Sequence, residues 1–313
     1  MTLLKVSNLG VHYAGARGST VRAVDDVSLH VNAGETVGLV GESGCGKSTL
    51  ARNVMRLARP TQGKIEFDGQ EIGQMSERAL RPFRRRMQMV FQDPFASLNP
   101  RHTVRDILTT PLKVHGVAKG AERHRTVERV AESVGLARNA LDRYPHEFSG
   151  GQRQRIGIAR ALILRPDLIV CDEPVSALDL SIQAQILNLL SDMKRQFGLS
   201  YLFISHDLSV INYFADRVLV MYLGRIVESA SVHALWAGPK HPYTQALIAA
   251  IPGIARSREP RPIQGDLPVA GDKLMGCRFH PRCSRATDIC RHVEPLLAKF
   301  TTEGHEVACH HAN

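Results

Sequence analysis

The chain has 313 residues, 43% of them hydrophobic, and a formal net charge of +10. This length allows one large core with a smaller lobe. No apolar run approaches the roughly 18 residues that would cross a bilayer, and the N-terminus lacks the features of a signal peptide. These observations argue against an integral membrane protein and predict a cytosolic one. The positive charge favours anionic partners such as nucleotides, nucleic acid or lipid headgroups, without choosing among them.

Apolar runs alternate with helical stretches along most of the chain, which is the pattern of an α/β protein. Residues 11–31 are expected to form antiparallel strands around a loop. TVGLV (36–40) reads as a short buried strand, and the stretch after residue 49 is compatible with a helix.

GESGCGKST, residues 41–49, stands between that strand and that helix. The pattern G-x4-G-K-S is a P-loop, in which backbone N–H groups and a helix N-terminus surround a phosphate. Lys47 is expected to reach the β- and γ-phosphates, and Ser48 to contact Mg²⁺. A chance glycine-rich turn is disfavoured by the strand–loop–helix context. The predicted ATP-binding residues of the loop are Gly41, Ser43, Gly44, Cys45, Gly46, Lys47, Ser48 and Thr49.

Two later apolar runs end in polar residues. LIVC (168–171) precedes Asp172 and Glu173, and YLFI (201–204) precedes a serine and His206. Ligands of α/β sheets bind at the carboxyl ends of strands. Asp172 therefore suits a Mg²⁺ contact, and Glu173 suits the polarisation of a water molecule. A histidine in such a place is more often structural, but its position at the same sheet edge favours a γ-phosphate contact.

Four of the six cysteines lie near the C-terminus, at Cys277, Cys283, Cys290 and Cys309. In a reducing cytosol, clustered cysteines suggest metal before disulfide. Their spacing, C-x5-C-x6-C-x18-C, is neither a zinc-finger pair nor a ferredoxin run. On spacing alone, a metal site and four unliganded thiols both remain open.

FSGGQRQR (148–155) opens a helix expected to run to about Leu164. With this segment the chain resembles the ATP-binding-cassette (ABC) family. FSGGQRQR is similar to the family's signature motif, DEPVSALD (172–179) to its Walker B end and D-loop, and VFQDP (90–94) to its Q-loop. The resemblance implies an α/β fold: a RecA-like P-loop nucleotide-binding domain with an antiparallel β subdomain, a helical subdomain and, here, a small Cys-rich C-terminal extension.

Residue roles follow from this resemblance. It implies that Tyr13 stacks on adenine, that Gln92 contacts ATP, and that Glu173 and His206 are catalytic. The implied magnesium ligands are Ser48, Gln92 and Asp172. The residues implied to contact ATP held by a partner subunit are Ser149, Gly150, Gly151, Gln152 and Asp179. Two cassettes would then enclose each nucleotide, so a second, related ATPase subunit is expected, in a heterodimer or a homodimer.

Finer resemblances concern importers. DPFASLNPR (93–101), SHDLSV (205–210) and KHPYTQAL (240–247) are similar to the ATPases of dipeptide/oligopeptide importers, especially the F type, and nickel importers share much of this pattern. This implies a peripheral ATPase at the cytoplasmic face of the bacterial inner membrane that energises import of di- and oligopeptides. The implied partners are two integral membrane permease subunits and an external substrate-binding protein, without nucleic acid.

GCRFHPRC (276–283) is similar to the C-terminal extension of the same importers. That resemblance implies a [4Fe–4S] cluster on Cys277, Cys283, Cys290 and Cys309. Zinc is the alternative, with His310 or His280 in place of one cysteine.

The predicted domains are an ABC ATPase domain over residues 1–232, with a helical subdomain at about 93–157, and an extension over 233–313. One alternative is an importer ATPase for nickel or another small solute. Another is a soluble ABC ATPase acting on ribosomes or DNA, which the basic charge would suit. That class usually has tandem cassettes or a long coiled-coil insertion, and neither is apparent in this sequence.

Overall fold

The computed structural model describes residues 1–15, 20–251, 275–300 and 304–312. The centre of the loop predicted within residues 11–31 and parts of the predicted extension lie outside these ranges. The strands are β1 (Thr2–Ala14), β2 (Thr20–Asn32), β3 (Thr36–Val40), β4 (Gln62–Phe67), β5 (Gln70–Glu71), β6 (Met87–Val90), β7 (Leu168–Asp172), β8 (Ser200–Ser205), β9 (Arg217–Tyr222), β10 (Arg225–Ser231), β11 (Ala298–Lys299) and β12 (Glu306–Val307).

The helices begin at the end of the glycine loop. They are α1 (Lys47–Val54), α2 (Glu77–Arg86), α3 (Pro94–Ser97), α4 (Val104–Val114), α5 (Gly120–Ser133), α6 (Gly150–Leu162), α7 (Leu180–Phe197), α8 (Leu208–Phe214), α9 (Val232–Ala237), α10 (Pro242–Ala249) and α11 (Asp288–His292). Short 3-10 helices cover Arg138–Asp142, Pro145–Glu147 and His280–Arg282. The helix predicted to reach Leu164 ends two residues earlier, at Leu162.

The chain divides into two compact units, of which the first comprises Met1, 31–35 and 74–204. Its sheet pairs β6 with β7 and β7 with β8, both in parallel. All five residues of β7 are buried, as are those of β8. Parallel strands covered on both faces are apolar throughout, so the runs LIVC and YLFI lack the alternation of a half-exposed strand.

Helices α3, α4, α5 and α6 of the first unit pack against one another. Thr103 begins α4 with a capping box, in which its side chain and that of Asp106 each accept a backbone N–H. Two internal interfaces, α4 with α5 and α4 with α6, bury the apolar faces of these helices, including Leu108, Leu112 and Val127. Helices α3 to α6 lie within residues 94–162.

The second unit comprises 2–30, 36–73 and 205–313. One sheet has the order β2-β1-β4-β5, in which β1 runs antiparallel to β4 and β4 to β5. In the other, β3 pairs with β9 in parallel, and β9, β10, β12 and β11 follow in antiparallel order. Residues near the C-terminus thus extend the sheet that carries β3.

No helix in the described ranges combines the length and the apolar character that a membrane crossing needs.

Candidate nucleotide site

The glycine loop lies in the second unit. It connects β3 to α1, in the strand–loop–helix order that the sequence predicts. Gly44 has φ +81° and Gly46 has φ +108°, a region that side-chain-bearing residues rarely adopt. A Cβ on Gly46 would also collide with the carbonyl oxygen of Ala23. Glycine is therefore required at residue 46 for both conformation and space, immediately before α1 begins.

Lys47 starts α1 and turns its ammonium group back into the loop. Its Nζ donates to the carbonyl oxygens of Gly41, at 2.7 Å, and Glu42, at 3.0 Å, and the residue is only 4% exposed. Ser48 and Thr49 lie in the same first turn and are partly exposed. The loop thus presents one cation and the hydroxyls of a helix N-terminus together, which is the chemistry that binds phosphate.

Cys45 packs inside the loop. Its Sγ lies 3.9 Å from Lys47 Nζ, and the residue is buried. Burial raises the pKa of the Cys45 thiol despite the nearby ammonium. The thiol is therefore neutral at physiological pH, and this supports a packing role over a reactive one.

Two further predicted residues lie in the second unit, apart from the loop in sequence. Tyr13 is near the end of β1 with 48% of its surface exposed, so its ring is available for stacking. His206 follows β8 and is exposed. Next to it, Asp207 begins α8 by accepting the backbone N–H of Ser209 at 2.7 Å, which fixes the strand-to-helix turn that carries the histidine.

The first unit holds the two acids at the end of β7. Asp172 is the last strand residue and is 4% exposed. Glu173 follows with φ +46°, a left-handed conformation that is unusual for glutamate and costs about 1–3 kcal/mol. Its backbone N–H donates to the carbonyl oxygen of Ile204 at 3.1 Å. Strain of this kind is typical of functional sites, and no pattern in the sequence reveals it.

Gln92 and Glu173 are brought together. Gln92 Nε2 donates to Glu173 Oε2 at 3.3 Å across 81 residues of chain. Gln92 lies just after β6 and Glu173 just after β7, and these strands are parallel neighbours. The carboxyl ends of both strands therefore lie at one edge of the sheet.

Ser149 caps α6, the helix of the FSGGQRQR segment. Its Oγ accepts the backbone N–H of Gln152 at 3.4 Å, and Gln152 Oε1 accepts the backbone N–H of Ser149 at 3.1 Å. A Cβ on Gly151 would lie 2.6 Å from Cγ2 of Ile182 in α7, so glycine permits close packing of the two helices. Asp179 stands immediately before α7 and accepts the backbone N–H of Gln183 through its carbonyl oxygen at 2.8 Å.

A contact that the sequence does not reveal links the segment after Gln92 to α6. The Arg153 guanidinium lies 3.7 Å from the centre of the Phe95 ring and donates to the carbonyl oxygen of Pro145 at 2.7 Å. Phe95 remains 62% exposed. The sequence shows an arginine in the FSGGQRQR segment and an aromatic residue shortly after Gln92. It does not show that these two residues are in contact.

The four C-terminal cysteines are free thiols. The backbone N–H groups of Arg285 and His311 donate to the sulfurs of Cys283 and Cys309, both at 3.4 Å. Burial, followed by the neighbouring cysteines, raises the pKa of Cys277 to about 11. Burial likewise raises the pKa of the Cys283 and Cys309 thiols.

Within the described part of the chain, no three or more His, Cys, Asp or Glu side chains are grouped so as to hold a metal ion. The structure consequently gives no support to the predicted iron–sulfur or zinc site. The raised pKa values of Cys277, Cys283 and Cys309 favour neutral thiols, whereas only thiolates are metal ligands.

The KHPYTQAL segment, residues 240–247, contains the start of α10. His241 Nδ1 accepts the backbone N–H of Tyr243 at 3.1 Å and so caps α10, with Pro242 in the first turn. Burial lowers the pKa of His241 to about 3, so the imidazole is neutral and able to accept. The buried Glu228 carboxylate accepts the backbone N–H of His241 at 3.0 Å and bonds to His305 at 2.7 Å, which fastens β12 to this region.

Comparison with known proteins agrees with these features. Residues 24–176 match the family described as ABC transporter, and residues 227–290 match the oligopeptide/dipeptide transporter C-terminal region. A putative peptide import ATP-binding protein of Brucella ovis is 52% identical over 310 residues, 98% of this chain and 97% of that protein. The oligopeptide transport ATP-binding protein AppF of Bacillus subtilis is 52% identical over 295 residues, 93% and 89% of the two chains.

Among solved structures, the dimeric post-hydrolysis state of the ATP-binding cassette MJ0796 bound to ADP and Pi has a TM-score of 0.68 at 28% identity, over 74% of this chain and 99% of that chain. The predicted RecA-like nucleotide-binding fold is therefore confirmed. The likeness gives no support for a Cys-rich extension as part of that fold.

Proposed function

The chain belongs to the ATP-binding proteins of peptide-importing ABC transporters, and from this premise we propose that it hydrolyses ATP to drive import of di- or oligopeptides. The observation that carries the proposal is the 52% identity to a peptide import ATP-binding protein over 98% of the chain. The glycine loop with its inward-turned Lys47 supplies the chemistry that such a protein needs.

We assign the phosphate contacts to the loop. Lys47 and the backbone N–H groups at the start of α1 would neutralise the β- and γ-phosphates. Tyr13 would stack on the base. Ser48, Gln92 and Asp172 offer the oxygen ligands that Mg²⁺ prefers; bound Mg²⁺ would neutralise charge that develops on the phosphate oxygens.

Hydrolysis requires a group that orients and deprotonates water. We assign this role to Glu173, which the hydrogen bond from Gln92 holds in a defined orientation. Its left-handed backbone is held by the N–H bond to Ile204. We assign to His206 a contact with the γ-phosphate. Phosphoryl transfer depends on positioning and charge more than on covalent help, so this small set suffices.

We propose that the active form pairs two cassettes. Ser149, Gly150, Gly151 and Gln152 form the N-terminus of α6, where free N–H groups suit a second phosphate contact. These residues and Asp179 would then contact ATP bound to the opposite subunit, either a related ATPase or a second copy. The dimeric arrangement named for MJ0796 supports this proposal by analogy.

We propose that the exposed aromatic residues on either side of Gln92 face the membrane subunits. Phe91 and Phe95 are both exposed, and Phe95 stacks on Arg153 of α6. A partner that displaces Phe95 would therefore act directly on α6, the helix of the FSGGQRQR segment. In this arrangement the protein is a peripheral subunit at the cytoplasmic face of the inner membrane, associated with two permeases and, through them, a substrate-binding protein.

Fractionation tests the transporter assignment. The tagged protein should sediment with membranes when its permease subunits are co-expressed and stay in the supernatant when they are not. F95A should reduce that sedimentation, whereas F197A, a change at an exposed aromatic residue at the end of α7, should not. Association with ribosomes or DNA in place of membranes would contradict the proposal.

We further propose that Cys277, Cys283, Cys290 and Cys309 bind a [4Fe–4S] cluster, with zinc as the alternative. Four free thiols are available, and backbone N–H groups already point at two of the sulfurs. Hydrogen bonds of this kind stabilise thiolate charge in metal–sulfur sites.

Protein purified without oxygen should contain about four irons and four sulfides per chain, and C283S should lower the iron content. A serine at Cys171, which is buried in β7, should leave the iron content unchanged. Stoichiometric zinc without sulfide would establish the alternative, and absence of both metals would contradict the site.

A further inference from the structure

Glu42 of the phosphate-binding loop is bound by two residues of the C-terminal extension. Glu42 directly follows Gly41 in the loop, and its carbonyl oxygen accepts a hydrogen bond from Lys47. The loop therefore does not depend on its own residues alone for its conformation.

Arg282 binds the Glu42 side chain. Its Nη1 donates to Glu42 Oε2 at 2.7 Å and its Nη2 to Glu42 Oε1 at 3.1 Å, a two-point contact that spans 240 residues. The arginine side chain is 7% exposed and the glutamate 24%. A two-point pair that is largely withdrawn from water fixes both distance and orientation, unlike an ordinary surface salt bridge.

Tyr243 binds the Glu42 backbone. The Glu42 N–H donates to the hydroxyl of Tyr243 at 2.9 Å. Tyr243 is fully buried in an aromatic cluster with Tyr222 and Phe279, whose ring centres lie 4.7 and 5.5 Å from its own. The hydroxyl is therefore held on a rigid support, and Glu42 is bound through both its main chain and its side chain.

Arg282 also lies within residues 277–283, which begin and end with a cysteine and are called the thiol segment here. It immediately precedes Cys283, and four residues separate it from Cys277. A second arginine of this segment, Arg278, forms an ion pair with Asp25 and donates to the carbonyl oxygen of Leu223. The next residue, Gly224, donates its N–H to the carbonyl oxygen of Cys45 in the loop at 2.8 Å. Two separate paths thus connect residues 277–283 to residues 41–49.

From these contacts we propose that the C-terminal extension is a clamp on the phosphate-binding loop, in which Arg282 and Tyr243 are positioning residues that act through Glu42. The proposal rests on the proposed ATPase function. Because coupling between two sites is reciprocal, order in the thiol segment strengthens nucleotide binding, and bound nucleotide in turn orders the thiol segment.

The first test measures the Kd for ATP·Mg²⁺ in the full-length protein by calorimetry. R282Q and E42Q should each raise Kd about tenfold, a typical magnitude for coupling between sites. The double variant should be no weaker than either single variant, because both changes remove the same contact. R285Q, at an exposed arginine three residues along, should leave Kd unchanged.

The second test is hydrogen–deuterium exchange of residues 277–283. ATP·Mg²⁺ should slow exchange there in the wild-type protein and have no such effect in E42Q, which leaves the extension itself intact. This measurement holds even if R282Q folds poorly. Either an unchanged Kd in E42Q or nucleotide-independent exchange in the wild type would overturn the clamp.

The variant K47A separates this inference from the proposed function. If K47A loses ATP binding while E42Q keeps wild-type affinity, the nucleotide assignment stands and the clamp falls. If K47A binds ATP normally, the phosphate assignment fails, and the clamp fails with it.

Discussion

E173Q is expected to bind ATP with wild-type affinity while its steady-state hydrolysis in the assembled transporter falls about 10²- to 10⁴-fold, the usual contribution of a general base. Glutamine preserves the size of the side chain and its ability to hydrogen-bond with Gln92, but it cannot accept a proton. Unhydrolysed ATP should then keep two cassettes together. Phosphate release measures the first effect, and size-exclusion chromatography with ATP measures the second.

The matched control for this substitution is E77Q, because Glu77 lies at the exposed start of α2 and pairs only at the surface with Arg84. Hydrolysis by E77Q should equal that of the wild type. If E173Q also hydrolysed ATP at the wild-type rate, Glu173 would have no catalytic role.

Removal of the loop cation should have the second large effect. K47A is expected to weaken ATP binding by about 2 kcal/mol or more, roughly 30-fold in Kd, because the ligand phosphates would lose a buried charge partner. Titration with a fluorescent ATP analogue measures the change. The melting temperature of K47A should also be lower than that of the wild type, since Lys47 Nζ donates to the carbonyl oxygens of Gly41 and Glu42.

K64A is the control for the loss of a lysine, because Lys64 is an exposed residue of β4. It should bind nucleotide as the wild type does. Wild-type affinity in a well-folded K47A protein would contradict the phosphate assignment.

The sequence predicts those parts of the fold that depend on local patterns. TVGLV coincides with β3, and LIVC forms the first four residues of β7. Continuous apolar runs identify strands buried on both faces, and G-x4-G-K-S identifies the loop between strand and helix. The start of α6 is equally local, because Ser149 and Gln152 form their capping box within four residues.

The contacts that position the candidate site are not local. Gln92 meets Glu173 across 81 residues and Arg282 meets Glu42 across 240. No period or spacing encodes such pairs, because each depends on which strands and turns become neighbours in the folded chain. The positive φ of Glu173 is likewise set by its surroundings, since glutamate has no intrinsic preference for it.

The four C-terminal cysteines illustrate the opposite case, in which the sequence suggests a site that the structure does not support. The residue types and their number suggest ligands, and the resemblance supplies a cluster, but the described residues are not grouped as a metal site. The structure instead shows that Arg282, which lies between Cys277 and Cys283 in the sequence, donates a hydrogen bond to Glu42. Arg282 thus links the cysteine-bearing residues to the phosphate-binding loop.

The most direct test of the account is peptide uptake into proteoliposomes that contain this protein, its permeases and the substrate-binding protein. With ATP on the side of the cassettes, the wild-type protein should accumulate labelled peptide and hydrolyse ATP in proportion, and E173Q should do neither. Peptide uptake that continued unchanged with E173Q, or hydrolysis that never produced uptake, would contradict the claim that this chain powers peptide import.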